Sequence, residues 1–160
     1  MRAIVESIEG EFRRYKGYAD KTFEQVSDDQ LGQAAPEGNS IVTLVWHVSG
    51  NLKSRFTDFL TTDGEKPWRQ RDSEFEDRAV GRDELRRKWE EGWAVLFAAL
   101  SALSDADLAR RITIRAEDLA VHAALHRSLA HTASHVGQIV LLAKSMRGAD
   151  WKTLTMPKRK

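Results

Sequence analysis

The chain has 160 residues, 25 of them Lys or Arg against 24 Asp or Glu, for a formal charge of +1. That length suits one domain with a core of its own, and the near balance of charge excludes an overall field able to hold a nucleic acid or an anionic membrane. With no cysteine there is no disulfide, thiolate ligand or cysteine nucleophile, so any metal must be held by nitrogen and oxygen.

No apolar run is long enough to span a membrane, and acids interrupt the N-terminal apolar pattern where a signal peptide would be apolar, so a cytoplasmic protein is expected. Ile4, Val5, Ile8, Phe12 and Tyr15 recur at steps of three and four, which predicts a first helix from about residue 2 into the twenties. Ser27 and Gln30 form a capping-box pair for a short turn at DDQL, and Pro36 and Gly38 then close a loop. Asn39 or Ser40 can cap a second helix, whose stripe runs through Ile41, Leu44, Val45, Val48, Leu52, Phe56 and Phe59. From Thr61 to Gly81 the sequence is dense in charge and has no period; a connection of roughly twenty residues in a small domain counts either against the element assignment or in favour of a functional segment, and it can cross the bundle end. Leu85, Trp89, Leu96, Leu100 and Leu103 mark the third helix, and Ser104 with Asp107 caps another short turn. RITIR, residues 111–115, alternates like a strand but has no evident partner and reads as an extended connector. The last helix is expected from about Glu117 to Met146, with Gly148 as its stop. The basic end PKRK reads as a solvated tail.

Four long amphipathic helices bury their stripes most simply as an all-α four-helix bundle, one domain over residues 1–160, with a long connection between helices 2 and 3. Trp89, Trp93 and Phe97 add bulk to a helix whose apolar stripe is already complete, and surplus apolar surface of this kind predicts a homodimer.

HTASHVGQIV, residues 131–140, sets His131 and His135 one turn apart, about 40° around the helix, with the small residues Ala124 and Ser128 before them on the same flank. His47 occupies a similar flank of the second helix. An i, i+4 pair with one more imidazole from a facing helix makes a three-ligand site, but His122 and His126 show the same spacing on the opposite side of the last helix, and spacing alone does not separate the two pairs. Asn51 and Arg55 follow His47 on its flank, and Arg127 and Gln138 lie near His131. These four can line a pocket suited to a carboxylate or phosphate, or equally form a solvated edge and an ion pair. Asp72, Glu74 and Glu76 in the long connection are candidates for an oxygen ligand or general base as well as for plain loop acids.

The strings VWHVSGNLKSRFTDFLTTDGEKPW and HRSLAHTASHVGQIV resemble the two signature regions of the DinB-like superfamily, and most of all a branch of unknown function within it. That superfamily consists of four-helix metal proteins and includes bacillithiol transferases and mycothiol-dependent isomerases. The resemblance spans the chain and implies a DinB-like bundle. It further implies zinc or nickel on His47, His131 and His135, with Gly137 and Gln138 as the glycine-glutamine step behind the pair, and a dimer formed through bundle faces. It also implies a metal-dependent enzyme activating water or a low-molecular-weight thiol, a transferase or hydrolase acting on a small molecule. The alternative from the residues is a bundle that binds a metal or ligand without turnover, because no residue is compelled into the role of general base.

Overall fold

The computed structural model describes residues 1–156 except Ala35 and Glu37, so the basic end at 157–160 lies outside the described residues. Four main helices are present: α1 (Ala3–Phe23), α3 (Ile41–Phe56), α4 (Arg82–Ser101) and α5 (Val121–Arg147), with a single turn, α2 (Asp28–Leu31), after the first. No helix among the described residues is long and apolar enough to cross a membrane.

Local chemistry sets most of the ends. Ser27 and Gln30 cap α2 reciprocally, and Ser40 rather than Asn39 caps α3, its hydroxyl accepting from the Thr43 N–H at 3.1 Å. Gly148 ends α5 at φ +53°, a left-handed conformation that a Cβ would disfavour. The helix α3 stops at Phe56, one turn short of its apolar stripe, and Phe59 is buried from the loop beyond it.

The region before α5 differs from the sequence expectation. Arg111–Ile114 is a strand, β1, paired antiparallel with β2 (Glu117–Ala120), so RITIR is not a free connector and the last helix begins at Val121. Arg115 and Ala116 at the tip have φ +54° and +61°, the backbone of a tight two-residue hairpin turn without its usual Asn or Gly. The carboxylate of Asp63 holds this turn, accepting from the N–H groups of Arg115 and Ala116, each at 2.9 Å. A hydrogen bond from the Glu65 N–H, with those from Ala116 and Arg115, holds the Asp63 carboxyl at about 2, well below the usual carboxylate range.

The helices pack in pairs, α3 on α4 and α1 on α5, around one continuous core. Aromatic rings fill its centre. Phe12 meets Phe56 and Trp93 edge-on, and Trp89 lies between Phe23 and Trp93 with its indole N–H on Asp20 at 2.9 Å. Trp89 and Trp93 are thus buried in the protein's own interior, while Phe97 is half-buried at its edge.

The helices α3 and α4 run in the same direction. Trp46 lies beside Lys88, Ser49 Oγ donates to the Lys88 carbonyl at 2.6 Å, and Phe56 shares Phe12 with Trp93, so advancing along one helix advances along the other. A Cβ on Gly92 would stand 2.7 Å from Ser49 Cα, so the absence of a side chain lets the pair close. Parallel neighbours require the chain to return the whole length of α3, 16 residues or about 24 Å, before α4 can start. The long connection is that return strap. It runs antiparallel along α3: the Gly64 carbonyl accepts from Ser54 Oγ at 2.9 Å, Glu74 lies against Gly50 and His47, and the Arg78 guanidinium lies 5.5 Å from the Trp46 ring centre.

Candidate metal centre

His47, on α3, comes within reach of His131 and His135 on α5, with one ligand atom from each imidazole lying within 4.8 Å of the others. His131 Nε2 stands 3.1 Å from His47 Nε2 and 3.2 Å from His135 Nε2. Two imidazole nitrogens on one four-coordinate zinc stand about 3.3 Å apart, given Zn–N distances of about 2.0–2.1 Å. The three rings therefore converge at the spacing a shared cation needs.

The far sides of two rings explain why the near sides face inward. His47 Nδ1 donates to Glu74 Oε2 at 2.9 Å, and the same carboxylate takes Arg69 Nε at 2.8 Å and Arg69 Nη2 at 2.9 Å. Burial works to raise the Glu74 pKa, but His47 and Arg69 outweigh it and the carboxyl is held below its ordinary value, so it is an acceptor only. A neutral His47 that donates through Nδ1 presents the Nε2 lone pair to the cluster. His135 is oriented likewise, its Nδ1 lying 2.9 Å from Gln138 Oε1. His131 has no such support. Its Nδ1 is buried without a partner, and burial first, then the nearby His135 and His47, pushes its pKa down to about 3, which keeps the imidazole neutral. Lone pairs turned toward one point repel one another unless a cation or proton lies between them.

Glu74 is 6 % exposed and His47 5 %, so the hydrogen bond between them is shielded from water on the strap side. Phe75, next along the strap, packs over the His47 ring at 4.8 Å. Space for Glu74 comes from Gly50, where a Cβ would stand 2.7 Å from Glu74 Cδ. Metal-binding histidines commonly donate their second ring N–H to a carboxylate, and His47 with Glu74 and Arg69 is that arrangement.

A cavity of about 370 Å³ opens beside the imidazoles. Asn51, Arg55 and Arg127 line it as the sequence suggested. Gln138 does not: it hydrogen-bonds His135 behind the cluster. Arg127 also pairs at 2.8 Å with Glu117 of β2, at the exposed rim. Among the loop acids, Glu74 alone is buried, and it orients a histidine instead of facing the cavity; Asp72 is exposed, and Glu76 pairs loosely with Arg78. The pair His122 and His126 is exposed on the other side of α5. Arg69, Gly50 and Arg115 escaped sequence reasoning. A glycine in an otherwise regular helical stripe was the available signal for Gly50.

The fold and this cluster define a class: a four-helix bundle with three histidines, drawn from two facing helices, that can together hold a metal ion. The chain belongs to the family described as "Protein of unknown function (DUF1572)", which it matches over residues 1–160. None of the curated proteins matches it.

Proposed function

We propose that the protein is a metal-dependent enzyme of DinB-like type, with His47, His131 and His135 as the ligands of one divalent ion, zinc or nickel, in a cytoplasmic bundle. One observation carries this reading: the Glu74–Arg69 pair and Gln138 turn the outer nitrogens of two rings away, so that their inner lone pairs meet that of a third, neutral ring. Imidazole suits both metals. A divalent ion there would supply Lewis acidity to a water or small thiol in the cavity. The chain's own part is to fix the rings, to keep His131 and His135 neutral by burial, and to offer a half-apolar cavity in which Asn51 and Ser128 flank the histidines one turn away on α3 and α5. A thiol would have to come from a cosubstrate, because the chain contains no cysteine. Thiol transfer fits better than hydrolysis, since both Glu74 oxygens are occupied and no carboxylate lines the cavity to take a proton from water.

That lack of a free base also favours the second reading, a bundle that binds metal or ligand without turnover. Elemental analysis of protein purified without an affinity tag comes first, with roughly one equivalent of zinc or nickel expected and less than a tenth in His47→Ala or His135→Ala. Metal-free wild-type protein after exposure to both ions would reject the centre. Turnover of electrophiles with small thiols then separates the two readings. The homodimer is also part of the proposal and rests on the resemblance alone; sedimentation at tens of micromolar, about the range in which a modest interface associates, tests it.

A further inference from the structure

The cavity beside the histidines carries an excess of positive charge that its own acids do not balance. Arg55, Arg69, Arg71, Arg115 and Arg127 all line it, and no carboxylate does. Behind the wall, Glu65 receives Arg55 Nη1 at 3.1 Å and Arg115 Nε at 2.9 Å, with Arg69 Nη1 at 3.6 Å. Glu74, which is buried, is shared between Arg69 and His47. Three guanidiniums thus rest on two carboxylates, one of which also serves an imidazole.

Arg55 is the guanidinium best placed to use that excess. Its side chain is 11 % exposed, and its hydrogen bonds to the Gly64 carbonyl and to Glu65 both use Nη1, leaving Nε and Nη2 for a ligand. Burial first, with the neighbouring Arg69 and Arg115 charges adding to it against the pull of Glu65, holds Arg55 below the usual guanidinium range. An anion in the cavity relieves that cost. A second, independent sign of a ligand is Ser128, 7 % exposed and lining the same cavity, whose hydroxyl has no hydrogen-bond partner. Buried hydroxyls are ordinarily paired.

The helical rise gives the dimensions. Arg55 lies two turns beyond His47 on α3, about 12 Å along the axis, with Asn51 about 6 Å along; Ser128 lies about 4.5 Å before His131 on α5. Phe56, Phe59 and Ile114 form apolar wall at the Arg55 end. We propose that the cavity takes an amphipathic oxyanion, a carboxylate or phosphate ester on an apolar body, with its anionic group on Arg55 and its other end toward the three histidines. Which end reacts rests on the function proposed above; the anion site does not.

Binding of 3-phenylpropanoate, phenyl phosphate and the neutral 3-phenylpropanamide, measured by calorimetry on zinc-loaded protein, tests this. One or both anions should bind at least tenfold tighter than the amide, their order telling carboxylate from phosphate. Arg55→Gln should remove that preference and leave zinc content unchanged, while His135→Ala should keep it. Equal binding of anions and amide overturns the inference, as does an anion preference that survives Arg55→Gln. Loss of anion binding in His135→Ala with retention in Arg55→Gln also overturns it, by placing the anion at the histidines, and leaves the metal reading standing. Wild type that takes no zinc yet binds anions through Arg55 upholds the inference and sinks the metal reading. Should Arg55→Gln fail to fold, Ser128→Leu fills the middle of the cavity and must abolish binding of both anions; undiminished binding there overturns the inference as well.

Discussion

Replacing Gly50 by Ala should damage both the stability and the metal affinity of the protein, against the usual sign for such a change. At an interior helix position Ala is favoured over Gly by about 1 kcal/mol. Here the new methyl would stand 2.7 Å from Glu74 Cδ, so the carboxylate has to leave Arg69 and His47 together. Breaking a buried ion pair costs about 3–5 kcal/mol, and subtracting the propensity gain leaves a net loss of about 2–4 kcal/mol. Loss of the carboxylate behind a metal-binding histidine lowers affinity about 10- to 100-fold. Urea unfolding of the metal-free protein reads the first effect and competition with a zinc-binding dye the second. Gly137→Ala is the matched control, because nothing lies within 4 Å of the added carbon. It should gain up to about 1 kcal/mol and bind zinc as wild type does. A Gly50→Ala protein as stable as Gly137→Ala, with unchanged zinc affinity, would show that Glu74 is not held against α3 and that His47 does not depend on it.

His122→Ala should keep the full metal content of wild type, since that ring is exposed on the opposite side of α5, and loss of metal there instead of at His47 or His135 would place the centre on the wrong face. Phe12→Ala opens the centre of the core between Phe56 and Trp93 and should cost about 3–5 kcal/mol in urea unfolding; a loss under about 1 kcal/mol would mean the core collapses around the gap. Asp63 has its folded pKa depressed to about 2 from 3.8, so its contribution is present above about pH 4 and is lost as pH falls through the folded value. Solvent screens much of that contribution, so a small difference in stability between wild type and Asp63→Asn should be constant near neutrality and close between about pH 4 and pH 2. A difference that does not change over that range would remove Asp63 as the holder of the hairpin turn.

The four helices were legible because each buries one stripe, and a stripe at three- and four-residue spacing survives whatever the helix packs against. The hairpin was not. Its second strand, EDLA, shows two exposed acids and two half-buried residues, with no alternation strong enough to stand out from the helix that follows at once. Its turn is Arg-Ala, and the group that stabilises this positive-φ pair is Asp63, 52 residues earlier in the chain. A turn held by a distant side chain leaves no local signature. The tryptophans show what a stripe leaves open: extra rings on a full stripe suit a core or a contact equally, and here Phe12 and Phe23 of α1 come across to cover Trp93 and Trp89.

For the site, periodicity put His47, His131 and His135 on the helix flanks that converge in the structure, and resemblance chose between the two pairs on α5. Neither could assign Glu74 its role, which depends on the direction in which the chain returns after α3. Had α3 and α4 been antiparallel neighbours, a short loop would have joined them and nothing would lie over His47. Because they are parallel, the connection must be about as long as α3 itself, and a strap of that length passes every turn of the helix on its way back. Its charged residues are therefore forced against the helix and must be paired where they are buried, which is what Arg69 and Glu74 achieve with one another and with His47. The same strap sets Glu65 behind Arg55 and Asp63 beneath the hairpin. One topological feature thus supplies the support for the imidazoles, the acids behind the arginine wall and the anchor of the turn. Asp63, Glu65, Arg69 and Glu74 in this aperiodic stretch are consequently site structure, while Asp72 and Glu76 remain solvated loop, and substitutions at the first four should affect the site more than those at the other two.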